Sequence, residues 1–205
     1  MKRLMLTMAL GLLMMLGAEA KEKKKVAVIP IDTEIGSTSW RYLQKGFEMA
    51  ETEDADVVVL HINTYGGTVE HADSMRSMIL RSKRPVVAFI DNNAASAGAL
   101  ISIACDSIYM RQGGNIGAAT VVNETGEAMP DKYQSYMRSI MRSTAQKHGK
   151  VKRMRADSTV VTVWHRDPLV AEAMVDPRTV GPYIGDDSTR VVTFTAEEAV
   201  KYHLC

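Results

Sequence analysis

Two short segments combine residue types that could do acyl-transfer chemistry. One is Asn63-Thr64-Tyr65-Gly66-Gly67, and the other is Asp91-Asn92-Asn93-Ala94-Ala95-Ser96-Ala97-Gly98. A glycine pair permits φ > 0 and close backbone approach, so it can aim N–H groups into an open site. The Ala-Ala-Ser-Ala-Gly run sets Ser96 at the first turn of a small-residue helix, where unsatisfied N–H donors and the positive end of the helix dipole lie. A hydroxyl there is placed to attack a carbonyl, and the next N–H can receive the oxyanion. Donors from two separate loops would form an oxyanion hole, worth ~2.7–4 kcal/mol per donor. Serine is also a common plain N-cap, and from the residues alone both readings of Ser96 stand.

A serine nucleophile needs a base. The histidines are His61, His71, His148, His165 and His203. His61 falls inside an apolar strand and reads as a core residue. His71 follows the glycine pair and is the only histidine near the expected crevice. His148 and His165 flank a basic segment and read as exposed. No Ser/His/Asp set emerges. A lysine can serve instead if desolvation lets it lose its proton near neutral pH. Lys132 follows Pro130 at the start of an amphipathic helix, 36 residues after Ser96. The ordinary role of a single lysine is surface solvation.

These residues need a scaffold. The segments Val26–Ile31, Val57–Ile62, Val86–Ile90 and Ile108–Met110 are apolar runs that predict strands. Trp40–Ala50, His71–Arg81 and Ser96–Ala104 carry helical spacing. Such alternation predicts an α/β fold with a largely parallel sheet covered on both faces. Strand carboxyl ends form the crevice of such sheets, which puts both segments on one side. A longer helix begins at Pro130 or Asp131 and ends near Gly149, with Tyr133, Met137, Ile140, Met141 and Thr144 as its apolar stripe. Val160–Trp164 predicts a strand of a small hairpin, Pro168–Val175 a short helix and Val191–Phe194 a last strand. Thr195-Ala196-Glu197-Glu198 has the capping-box pattern of a final helix. That helix runs almost at once into Cys205, so the chain reads as a fragment or as one that has lost a C-terminal part. The basic run Lys147–Arg155 reads as a solvated face or loop, with a membrane-surface or substrate-gating role as the alternative.

The chain has 205 residues, 46% apolar and 24% charged, with a net charge of +1. That balance fits one globular domain and argues against nucleic acid as a partner, since no basic stripe with interleaved aromatics is present. Met1-Lys2-Arg3, the apolar Leu4–Gly17 and Ala18-Glu19-Ala20 together read as a secretory signal peptide over 1–20, leaving a domain over 21–205. The apolar run is shorter than the ~20 residues of a spanning helix. Cys105 reads as a buried small hydrophobe, and Cys205 is open. An exported chain with two cysteines permits a disulfide. Neither cysteine has neighbours at metal-ligand spacing, so no metal and no cofactor are expected.

Asn63–Gly67, Ala94–Gly98, Gly113–Ala118, Ala171–Pro177 and Thr195–Tyr202 occur in an order and spacing that resembles the NfeD family of membrane-associated serine proteases, relatives of Clp protease and signal peptide peptidase A. The likeness covers residues 26–205. It implies a Clp/crotonase-like core of parallel strands with flanking helices, and a Ser–Lys dyad that falls on Ser96 and Lys132. It implies oxyanion donors at Gly67 and Ala97, self-association, hydrophobic or membrane-associated peptide substrates, and a stomatin-like partner. An exported protein of this kind would work in the periplasm or on the outer face of the cytoplasmic membrane. The chain departs from the family at Tyr65, where proline is common, and in Lys147–His165, which is longer and more basic. Two other readings remain: a non-catalytic oligomeric scaffold for a membrane partner, and a crotonase-type enzyme acting on acyl-CoA, which conflicts with an export signal.

Overall fold

The computed structural model describes residues 23–177 and 190–205. The expected signal peptide lies outside them. β1 (Val26–Ile31), α1 (Ser37–Thr52), β2 (Val57–Thr64), α2 (Val69–Leu80), β3 (Val86–Ala95), α3 (Ala97–Ala104) and β4 (Ser107–Met110) follow one another as alternating units. Then come β5 (Asn115–Gly117), α4 (Asp131–Lys147), the hairpin β6 (Lys150–Met154) and β7 (Val160–Trp164), α5 (Pro168–Ala173), β8 (Thr193–Thr195) and α6 (Ala196–Lys201). The main sheet has the order β1-β2-β3-β5-β8, with β4 also paired to β3. All its pairings are parallel except β5 with β8.

β3 is the pivot. Its first half, Val87–Ile90, pairs with β4, and its last residues, Asn93–Ala95, pair with β5. The strand therefore continues past the apolar run that announces it and delivers Ser96 directly. β5 was not expected as a strand; its three residues carry too little pattern. Along β2, Val58, Leu60, Ile62 and Thr64 are buried and alternate with half-buried neighbours. The buried set packs under α1, α2 and α3, and full burial of each large aliphatic contributes about 1.5–3 kcal/mol. All eight residues of α3 are buried.

The other sheet face differs from the expectation of cover on both sides. Val26 and Val28 are exposed, and Val59, His61, Val87 and Phe89 are only half-buried. A continuous apolar run looks the same whether its second face is covered or half-open, so the run could not decide this. His61 belongs to that open face, near Asp91 and tilted against Phe89, rather than to the core. Tyr133 is likewise exposed, although it falls on the stripe of α4, and Gln134 is the buried residue of that turn.

The C-terminal end of α3 is closed from a distance. Arg166 is 2% exposed. It donates from Nε to the Leu204 carbonyl, from Nη1 to Ile103 and Cys105, and from Nη2 to Asp106. Four carbonyl oxygens thus surround a guanidinium whose pKa burial brings down to about 10. Cys105 is fully buried, as expected, and its thiol pKa is pushed up by that burial; Cys105 and Cys205 are both free thiols.

Candidate active site

Ser96 joins β3 to α3 with φ 54 and ψ −118. A non-glycine residue in that region costs of order 1–3 kcal/mol and persists only where its surroundings hold it. Here they do. The Ser96 N–H donates to the Gly117 carbonyl at 2.9 Å, and the Ser96 carbonyl accepts from the Ala99 N–H at 3.0 Å. The hydroxyl makes no cap bond to its own helix. This decides against the N-cap reading: an N-cap serine sits in extended backbone and spends its oxygen on the helix.

The glycine loop presses on the serine. A Cβ on Gly66 would fall 2.6 Å from Ser96 Cβ and 3.1 Å from its Oγ, and Gly66 has φ +112. The loop is pinned on both sides. The Ile35 N–H donates to the Gly66 carbonyl, and the Thr68 N–H donates to the Ile35 carbonyl, both at 2.8 Å. The Gly66 N–H donates to Thr64 Oγ1 at 3.1 Å, and that hydroxyl donates to the Thr33 carbonyl at 2.7 Å. Ile35 and Thr64 are fixing residues that the sequence reading passed over. Thr64 had a signal: it is the polar residue in the buried register of Val58, Leu60 and Ile62.

Within this frame the N–H groups of Gly67 and Ala97 donate to no acceptor among the described residues. Ala97 follows Ser96 directly, and Gly67 follows the glycine that lies against it. Ala97 adds the positive end of α3. Beside the glycine loop a cleft of about 490 Å³ opens, walled by Asp32, Glu34, Asn63, Tyr65 and Asn92 among others. A larger depression of about 880 Å³ between α1 and α2 is lined by none of the site residues.

Lys132 is carried by α4. It lies in the first turn of α4, is exposed, and carries its ammonium 4.8 Å above the Tyr133 ring. No hydrogen bond joins it to Ser96. Gly66 lies against Ser96 and Ala97 follows Ser96 in the chain, whereas Lys132 is carried by a different element. The segment between β5 and Lys132 is nonetheless ordered. Val122 and Ala128 pair as an antiparallel bridge. Gln134, 7% exposed, accepts from the Val121 N–H and donates to the Val121 and Met129 carbonyls. This hairpin arm is thereby clamped to the turn of α4 that bears Lys132.

No hydrogen bond joins a histidine to Ser96 among the described residues. His71 Nδ1 is 2.7 Å from Thr68 Oγ1. His148 is half-buried rather than exposed, with Nε2 2.9 Å from the Ile103 carbonyl, and burial with the nearby Arg166 charge lowers its pKa to about 4. Among the described residues no group of histidine, cysteine and carboxylates is placed to hold a metal.

Comparison with known proteins adds an independent line. The family described as NfeD1b, N-terminal domain, matches residues 25–204. The chain is 33% identical over 193 residues to Membrane protein NfeD1b of Bacillus subtilis (strain 168), covering 93% of this chain and 40% of that protein. It is 25% identical over 210 residues to Membrane-bound protease PH1510 of Pyrococcus horikoshii, covering 98% of this chain and 41% of that protein. The chain thus spans about two-fifths of the length of these relatives. Two solved structures of the 1510-N membrane-bound stomatin-specific protease share the fold. One is a lysine-to-alanine mutant in complex with a substrate peptide, with TM-score 0.70, 24% identity, and cover of 89% of this chain and 74% of that one. The other is a serine-to-alanine mutant, with TM-score 0.69, 24% identity, and cover of 89% and 78%. ClpP1 from Listeria monocytogenes matches with TM-score 0.58 and 16% identity over 87% of this chain and 88% of that one.

Proposed function

This chain belongs to the NfeD1b N-terminal domain family, and from that premise we propose that it is a serine endopeptidase with Ser96 as nucleophile. The observation that carries the reading is the backbone of Ser96: a left-handed serine whose hydroxyl, like the N–H groups of Gly67 and Ala97, has no hydrogen-bond partner among the described residues. A plain cap or a structural turn has no use for that combination. In the proposed reaction Lys132, neutral, removes the proton from Ser96 Oγ as the oxygen bonds to the substrate carbonyl carbon. The Gly67 and Ala97 N–H groups hold the resulting oxyanion. Lys132 then gives its proton to the leaving amine as the C–N bond breaks; water, deprotonated by Lys132, attacks the acyl carbon, and that proton passes from Lys132 to Ser96 Oγ as the ester bond breaks and the acid leaves.

For that chemistry Lys132 has to leave the Tyr133 ring and be shielded from water beside Ser96. We assign this step to closure of the 118–131 arm over bound substrate or within an oligomer. Hydrophobic, membrane-associated polypeptides are the proposed substrates, with a stomatin-like protein as the proposed partner. Support comes from the likeness to 1510-N, a membrane-bound stomatin-specific protease, one structure of which holds a substrate peptide. A leader over 1–20, a single peptidase domain over 21–205 and action outside the cytoplasm complete the proposal. The exposure of Lys132 favours one competing reading, a scaffold that binds a membrane partner without catalysis.

Labelling with a fluorophosphonate separates the two. Wild-type protein should label, and Ser96→Ala and Lys132→Ala should each reduce labelling by a factor of ~10² or more. Folded wild-type protein that never labels, alone or with a substrate peptide, would leave the scaffold as the function.

A further inference from the structure

The β6–β7 hairpin is the element that the site does not use. It pairs with no strand of the main sheet. Among the described residues, no hydrogen bond or ion pair leads from residues 150–164 to any residue outside 149–165. It is also strongly cationic. Lys147, Lys150, Lys152, Arg153 and Arg155 fall in one stretch with a single carboxylate, Asp157. That carboxylate accepts hydrogen bonds from Thr159 in the turn. None of the five cations has an acidic partner within salt-bridge distance among the described residues.

The register places these charges against apolar side chains. Lys150 faces Trp164, Lys152 faces Thr162 and Met154 faces Val160. Alternation puts all six on one side of the ribbon. Met154 is 74% and Val160 64% exposed, and the Lys150 ammonium sits 4.8 Å over the Trp164 ring. A lone two-stranded ribbon is marginal in water, and an exposed apolar tip flanked by unpaired cations adds no stability to it. The same pattern matches a bilayer surface. Lysine and arginine heads bind anionic headgroups while their stems, together with tryptophan and aliphatic tips, enter the interfacial layer. An acidic protein would satisfy the charges but leave the flat Met154–Val160 tip without a pocket.

We propose that this hairpin is a docking surface for an anionic lipid bilayer, with Lys150, Lys152 and Arg155 on headgroup phosphates and Met154, Val160 and Trp164 among the upper acyl carbons. It is independent of the peptidase reading, and it needs no spanning segment; among the described residues no helix is long and apolar enough to cross a membrane. The chain has two tryptophans, so the full chain with Trp40→Phe reports on Trp164 alone.

With vesicles of phosphatidylcholine containing phosphatidylglycerol, Trp164 emission should shift to the blue, and the shift should fade with added salt. Pure phosphatidylcholine vesicles should give little shift. Lys152→Glu with Arg155→Glu, which leaves the Lys150–Trp164 contact intact, should weaken partitioning by roughly tenfold or more. Met154→Ser with Val160→Ser should weaken it while keeping the salt dependence. Equal shifts with both vesicle types, equal binding by the charge-reversed variant, or binding to soluble polyglutamate with no response to vesicles would overturn the proposal. The last outcome would point to an acidic protein instead. Fluorophosphonate labelling is read separately, so failure here leaves the peptidase reading untouched, and the reverse.

Discussion

At the scale of single residues, the site is a problem of holding Ser96 where it does not want to be. Gly66 is the residue whose smallness matters most, because anything larger meets Ser96 itself. Gly66→Ala combines a strained φ of +112 with a methyl 2.6 Å from Ser96 Cβ. It should cost about 1–3 kcal/mol in stability and reduce fluorophosphonate labelling at least tenfold. Urea melts beside labelling rates would check both; unchanged labelling would mean that the loop can retreat without disturbing the nucleophile. The sequence singles out Ser96 as the serine of a small-residue helix start, with a plain N-cap as the alternative, and the family resemblance is what points to Gly67 and Ala97 as oxyanion donors. The backbone torsion of Ser96 was not legible, since that depends on Gly117 arriving from β5 to accept the Ser96 N–H. The position of Lys132 depends in the same way on the Gln134 clamp and on whatever covers the arm.

At the scale of elements, α3 is the organising piece. Its first residue follows Ser96, and its last turn is closed by the buried guanidinium of Arg166. Arg166→Met keeps much of the volume but strands four carbonyl oxygens. Orphaned buried acceptors cost ~1–3 kcal/mol each when water cannot reach them. Partial solvent access makes a total loss of roughly 3 kcal/mol the expected outcome of chemical denaturation. Arg166→Lys should recover only part, since one ammonium cannot span four acceptors. The alternating strands and helices were readable because their apolar periods are long and clean. β5, three residues within a glycine-rich stretch, carries no such period. Lys147–Arg155 reads as a charged loop until its register with Val160–Trp164 shows a ribbon with one cationic, apolar side.

At the scale of the whole molecule, several histidines are gathered around the Arg166 region. His148, His165 and His203 all have lowered pKa values; burial is the largest cause in each case, followed by the arginine charges of Arg166 or Arg153. Each is held neutral in the folded state below the pH at which it would protonate in the unfolded chain. The unfolded state therefore takes up more protons as pH falls, and stability conferred by neutral His148 is lost between about 6.5 and about 4. The urea midpoint should decline across that window, and His148→Gln should flatten part of the decline. A midpoint that is level from neutrality to about pH 4 would rule out this linkage.

The two ends of α3 also set a timetable. Ser96 emerges well before Arg166, which closes its helix and reaches the Leu204 carbonyl, and before Thr193–Thr195, the last partner of β5 beside it. A ribosome or an export channel releases residues in order. While the chain is still emerging, Ser96 has neither its closing guanidinium nor its finished sheet. The strained Ser96 turn gains its full set of supports only once residues as far as Leu204 are free, so a partly made chain carries the serine without the contacts that hold its backbone.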